Sequence, residues 1–132
     1  MEEGRINVVV GWVFLLLGLI IGAFLMVKLA DPVWAKAHDA MPRALFRVVH
    51  FHGALFAMVN ILYGLTIGQT ALPNGIKALG GWLAILGIIF YPLTLFAAVY
   101  YPVLFNLVPL GGLCLIGSVA IVAYGQLFAR KA

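Results

Sequence analysis

Four long apolar stretches, separated by short breaks that carry charges or prolines, organise the chain. The first runs from about Val8 to Val27 and is closed by Lys28 and an Asp31-Pro32 breaker. The second runs from about Val48 to Gly68, after Arg43 and Arg47. The third covers about 78–99, and the fourth covers about 103–128 and stops before Arg130 and Lys131. Each is close to the 20 or so residues needed to cross roughly 30 Å of hydrocarbon. Tyr100-Tyr101-Pro102 marks a tight hairpin between the last two, because tyrosines favour the interface and proline resists helix interiors. Residues 29–46 read as a longer loop carrying Trp34, Lys36, His38 and Arg43, long enough for a short interfacial helix. Helices satisfy their own backbone groups one segment at a time. The pattern therefore predicts an all-α, integral membrane four-helix up-down bundle forming a single domain, 1–132.

Composition agrees with the pattern and narrows the class. Hydrophobic residues make up 65% of the chain and charged residues 9%, against about half and a quarter in soluble domains. An ordinary water-soluble domain is excluded. The net charge of +4 comes from basic residues at span ends and in one loop. Anchoring to membrane lipid accounts for them, and no basic stripe points to nucleic acid. Arg5, Lys77, Arg130 and Lys131 share one side and Lys28, Lys36, Arg43 and Arg47 the other, so the positive-inside rule favours neither orientation. Cys114 is the sole cysteine, which rules out an intrachain disulfide, a cysteine metal motif and c-type haem attachment. The start carries Glu2 and Glu3 rather than a basic region, so the first span is expected to persist as a signal anchor. The expected location is the inner (cytoplasmic) membrane, as a multi-pass protein.

Small residues and one proline shape the spans. Gly18-x-x-x-Gly22 and Gly64-x-x-x-Gly68 present ridges that let helices approach closely, within one bundle or between protomers. The same small residues could leave room for a flat cofactor. Pro92 inside the third span frees a backbone carbonyl and is expected to kink the helix. Tyr91 beside it puts a hydroxyl in the hydrocarbon region, where it needs a partner.

The candidate chemistry lies in the second span, in the run Arg47-Val-Val-His-Phe-His-Gly-Ala-Leu-Phe-Ala-Met-Val-Asn60-Ile-Leu-Tyr63. An ionisable side chain inside a membrane helix is costly and marks a functional hypothesis. Residues two apart on a helix point about 200° apart, so His50 and His52 face opposite sides. The His50 side continues through Gly53, Ala54, Ala57, Ile61 and Gly64, nearly all small. The His52 side continues through Phe56, Val59, Asn60 and Tyr63. A porphyrin must approach the helix that donates its axial nitrogen, which favours His50 as iron ligand, with His52 as the alternative. Gly53 and Ala57 would then border a haem b, while Asn60, Tyr63 and Tyr91 would line a substrate pocket. Hydrogen bonding of both histidines at the interface is the plain alternative. A zinc site lacks carboxylate or cysteine partners at ligand spacing.

These residues resemble those of small four-helix bacterial membrane proteins that include styrene oxide isomerase and hydroxylaminobenzene mutase. At the start of their second helix such proteins carry a histidine, then glycine at plus three and asparagine at plus six. His50-x-x-Gly53 matches the first two positions; the third is Phe56, with Asn60 one turn later. Trp34-Ala-Lys-Ala-His38 is similar to a Trp-Ala-Arg-Ala-His run ahead of that helix in the isomerase, a register that would make His38 the ligand. The resemblance implies a membrane trimer with haem b between protomers and one axial histidine. It further implies ferric iron acting as a Lewis acid on an epoxide oxygen, giving an isomerase of small apolar substrates. A metal supplies charge stabilisation in a dry pocket, and none of the four acidic residues lies within a span.

Two other classes stay open. Paired histidines on apolar helices also occur in membrane b-type cytochromes and respiratory subunits that exchange electrons with quinone. A cofactor-free scaffold or small transporter is the third, with no charge pair inside the bundle to mark an ion path. A porphyrin about 10 Å or more across competes with helices packed 8–10 Å apart, which favours a homo-oligomer with haem near a protomer boundary.

Overall fold

The computed structural model describes residues 4–37 and 40–129. Five α-helices follow in order: α1 (Arg5–Ala30), α2 (Pro32–Ala37), α3 (Ala40–Thr66), α4 (Asn74–Ala98) and α5 (Val108–Phe128). Short 3₁₀ segments, Ile67–Gln69 and Pro102–Leu107, follow α3 and precede α5. Among the described residues four stretches are long and apolar enough to cross a membrane: Arg5–Ala30, Met41–Gln69, Asn74–Ala98 and Pro102–Phe128. The chain is thus an all-α, multi-pass membrane protein. α1 packs on α3, α3 on α4 and α4 on α5.

The breaks have local causes. Asp31 ends α1 in an extended conformation, and its Oδ1 accepts from the backbone N–H groups of Val33 at 2.9 Å and Trp34 at 3.4 Å. With Pro32 in the first turn, this is an N-cap for α2, so the breaker restarts a helix as well as ending one. The expected loop 29–46 is therefore mostly helical, and α3 begins eight residues before Val48. Pro42 falls in the first turn of α3, where its missing N–H costs nothing. Arg43 reaches back, donating from a guanidinium nitrogen to the carbonyl of Ala35 at 2.8 Å. His38 lies outside the described residues. The expected tight hairpin at Tyr100-Tyr101-Pro102 is a turn followed by a 3₁₀ segment with Pro102 at its start. α4 continues through Pro92 to Ala98.

Packing of α1 on α3 is set by small residues seven apart. Gly4, Gly11 and Gly18 face Gly64, Ala57 and Ala54 in turn, so the two helices run antiparallel. A Cβ at Gly11 would lie 2.7 Å from the Ala57 carbonyl oxygen, so the backbones touch at this level. Gly4 opens α1 with a φ of +87°, which L side chains rarely adopt. Gly68 touches nothing within 4 Å of an added Cβ. The operative ridge on α3 is therefore Ala54–Ala57–Gly64 rather than Gly64–Gly68. In lipid no hydrophobic force drives helices together, so close backbone approach and interhelical hydrogen bonds must hold them. The opposite face of α1 stays exposed at Trp12, Leu16, Leu19 and Ile20, which suits contact with lipid tails.

Candidate functional site

Asn7, Asn60, Tyr63 and Lys77 form a polar layer in the half of the bundle that holds the start of α1 and the end of α3. Asn60 is fully buried. Its Nδ2 donates to the carbonyls of Phe56 at 3.1 Å and Ala84 at 3.0 Å, and its Oδ1 accepts from Asn7 Nδ2 at 3.1 Å. Asn7 Nδ2 also donates to the Gly81 carbonyl at 2.8 Å. One amide pair thus ties α1, α3 and α4 together. Tyr63 donates its hydroxyl to the Lys77 carbonyl at 2.6 Å. The absence of side chains at Gly80 and Gly81 makes room for the Tyr63 hydroxyl and for Asn7 Oδ1.

Nearer the other end, the two histidines leave α3 in opposite directions, as helical geometry requires. His50 turns to α1 and lies against Gly22, where a Cβ would sit 2.8 Å from Nε2. Its Nδ1 is buried and has no hydrogen-bond partner. His52 turns to α4 and stacks on Tyr91, with ring centroids 4.9 Å apart and planes at 25°. Phe56 completes the cluster, 6.0 Å from His52 and 4.9 Å from Tyr91. His52 Nδ1 lies 3.0 Å from the Val48 carbonyl oxygen. On the far side, Gly111 of α5 meets the backbone of Tyr91, so α5 buttresses the residue that stacks on His52.

The expected site residues therefore fall into two groups. His52 and Tyr91 are brought together. Asn60 and Tyr63 are not part of that cluster; their polar atoms hold helices in the neighbouring layer. Gly53 sits opposite the Pro92 ring, with 4.0 Å from an added Cβ to Cγ. Ala57 has no exposure, because α1 occupies the room left by the small face of α3. That face does not fit a porphyrin within one chain. Among the described residues no three histidine, cysteine, aspartate or glutamate side chains gather as a metal site. A haem needs only one axial histidine, so this does not bear on haem.

Asn7 leaves no mark in the hydropathy pattern, and Lys77 reads there only as a span-end base. Asn7 lies on the stripe defined by Gly4 and Gly11, three residues after one and four before the other, and that register was its signal. A headgroup anchor is expected to be exposed, whereas Lys77 is only 5% exposed. Compared with known protein families, curated proteins and solved structures, the chain has no match.

Proposed function

We propose that the chain is a haem b-binding membrane protein acting as an isomerase on a small apolar, epoxide-type substrate, with His52 rather than His50 as axial ligand. The hydrogen bond between His52 Nδ1 and the Val48 carbonyl carries the choice of ligand, and the resemblance in span pattern, rather than the His50-x-x-Gly53 register, supports the isomerase. A carbonyl oxygen only accepts, so Nδ1 holds the proton and Nε2 keeps the lone pair a metal needs. Metal-ligating histidines are oriented in this way by their other ring nitrogen. His50 lacks such a bond and is pressed against Gly22.

Bound at Nε2, ferric haem would supply Lewis acidity toward the substrate oxygen. The protein's own residues would do the rest. The stacked Tyr91 ring holds the imidazole in place, and Phe56 walls the site with apolar surface that excludes water. His52 is half-buried and Phe51 beside it is exposed, which supports a porphyrin on the outside of the bundle. There a second copy would cover it, in a homo-oligomer that the resemblance suggests is a trimer. All-helical spans support an inner membrane, since outer membranes hold barrels.

A bis-histidine cytochrome that uses both rings of one chain is less well supported, because His50 points to α1 and His52 to α4. The test is the absorbance spectrum of protein purified from haem-replete cells. The reading expects a Soret band with five-coordinate features, lost in His52→Ala and kept in His50→Ala. No Soret band in the wild-type protein, or loss confined to His50→Ala, would overturn it.

A further inference from the structure

Three basic side chains gather where α2 meets the start of α3. Arg43 donates to the Ala35 carbonyl at 2.8 Å, which fastens its guanidinium to the last turn of α2, beside Lys36. Arg47 follows four residues later, on the same side of α3 and ~6 Å further along its axis. Lys36 and Arg47 are exposed. Rings fix α2 in this position. The Trp34 centroid lies 6.5 Å from that of Phe46, and Phe46 lies 5.9 Å from Phe96 of α4. The result is a firm basic ledge between the end of the first span, Ala30, and the start of the second, Met41.

We propose that this ledge binds the headgroup of an anionic phospholipid in preference to a zwitterionic one. The charge balance favours an anion. Over residues 28–47 the sequence sets Lys28, Lys36, Arg43 and Arg47 against Asp31 and Asp39. Asp31 turns its Oδ1 onto the backbone N–H groups of Val33 and Trp34. Lys28 turns away from the ledge, with Nζ 5.8 Å from the centroid of the Phe24 ring. Lys36, Arg43 and Arg47 remain to meet a phosphate. A guanidinium bonded to one carbonyl keeps its charge and further N–H donors, and its fork matches phosphate oxygens. The Ala35 bond orders the Arg43 side chain in advance, which lowers the entropy cost of binding. The surroundings favour a lipid over free phosphate. Val33 and Met41 are exposed and apolar beside these bases, and they suit contact with acyl chains below a headgroup. The ledge also lies between two span ends, the level at which headgroups sit and tryptophans such as Trp34 are enriched.

Native mass spectrometry of the full chain in detergent, titrated with phosphatidylglycerol or phosphatidylcholine of matched acyl chains, tests this. The wild-type chain should retain phosphatidylglycerol at least about tenfold more tightly, since each base near an anionic headgroup is worth about fivefold. Lys36→Gln/Arg47→Gln alters two exposed side chains and keeps the Arg43 bond. It should bring the two lipids to within about threefold of each other. Arg5→Gln removes an exposed base from the opposite end of the bundle and should leave the preference intact. Excess inorganic phosphate should not displace the lipid. Equal retention of both lipids by the wild-type chain would overturn the proposal. So would an unchanged preference in Lys36→Gln/Arg47→Gln, an equal loss in Arg5→Gln, or displacement by inorganic phosphate.

Discussion

Asn7 and Asn60, 53 residues apart in sequence, meet amide to amide inside the bundle, with Nδ2 of the first donating to Oδ1 of the second at 3.1 Å. Main-chain carbonyls on either side hold the pair further, Gly81 for Asn7 and Phe56 and Ala84 for Asn60. Asn60 therefore holds three helices together instead of facing a substrate. Interhelical hydrogen bonds in membranes are each worth about 0.6 kcal/mol on average and up to about 1.7. Asn60→Leu should destabilise the bundle by about 1–3 kcal/mol and leave any haem spectrum unchanged. Unfolding in mixed micelles checks the first outcome and absorbance the second. A double-mutant cycle with Asn7→Ala should give a coupling of about 0.6–1.7 kcal/mol.

The four spans were legible because hydropathy and length alone decide them. The Asp31-Pro32 break was legible as an end but not as a beginning, since the cap depends on the Asp31 carboxylate turning onto Val33 and Trp34. The early start of α3 was hidden by Pro42, Arg43 and Arg47. Pro42 is harmless in a first turn, and Arg43 spends its charge on the end of α2. The small face of α3 was legible as a place of close approach. What approaches it is α1, and the repeat Gly4, Gly11, Gly18 was the available clue. For the site, helical geometry separated His50 from His52. Which imidazole has an oriented tautomer depends on the backbone around Val48 and on Tyr91 from another helix, which sequence spacing does not encode.

Gly11 is a second point of leverage. A side chain there would meet the Ala57 carbonyl and the backbone nitrogen of Ile61, the latter at 2.9 Å, and neither can move without the helix. Gly11→Val should force α1 from α3 and destabilise the bundle by about 2 kcal/mol or more. Gly68→Val, with open space at its Cβ, should cost well under about 1 kcal/mol. Thermal unfolding of the two variants side by side is the check.

Tyr91 separates packing from chemistry. Tyr91→Phe keeps the ring that stacks on His52 and removes only the hydroxyl. Haem content should stay at the wild-type level, and conversion of styrene oxide to the aldehyde should stay within about tenfold of wild type, because Tyr91 acts through the imidazole on which it stacks. Tyr91→Ala removes the stack as well and should broaden or shift the Soret band. A loss of about 10²-fold or more in Tyr91→Phe would instead place the hydroxyl at the reacting oxygen.

The most direct test of His52 as iron ligand is haem stoichiometry in His52→Gly with and without added imidazole. Glycine leaves a gap where free imidazole can coordinate without being tied to α3. The account predicts little haem in His52→Gly alone, recovery of the Soret band with imidazole, and no effect of imidazole on His50→Gly, which should retain its haem. Full haem in His52→Gly without imidazole, or imidazole rescue seen only in His50→Gly, would contradict it.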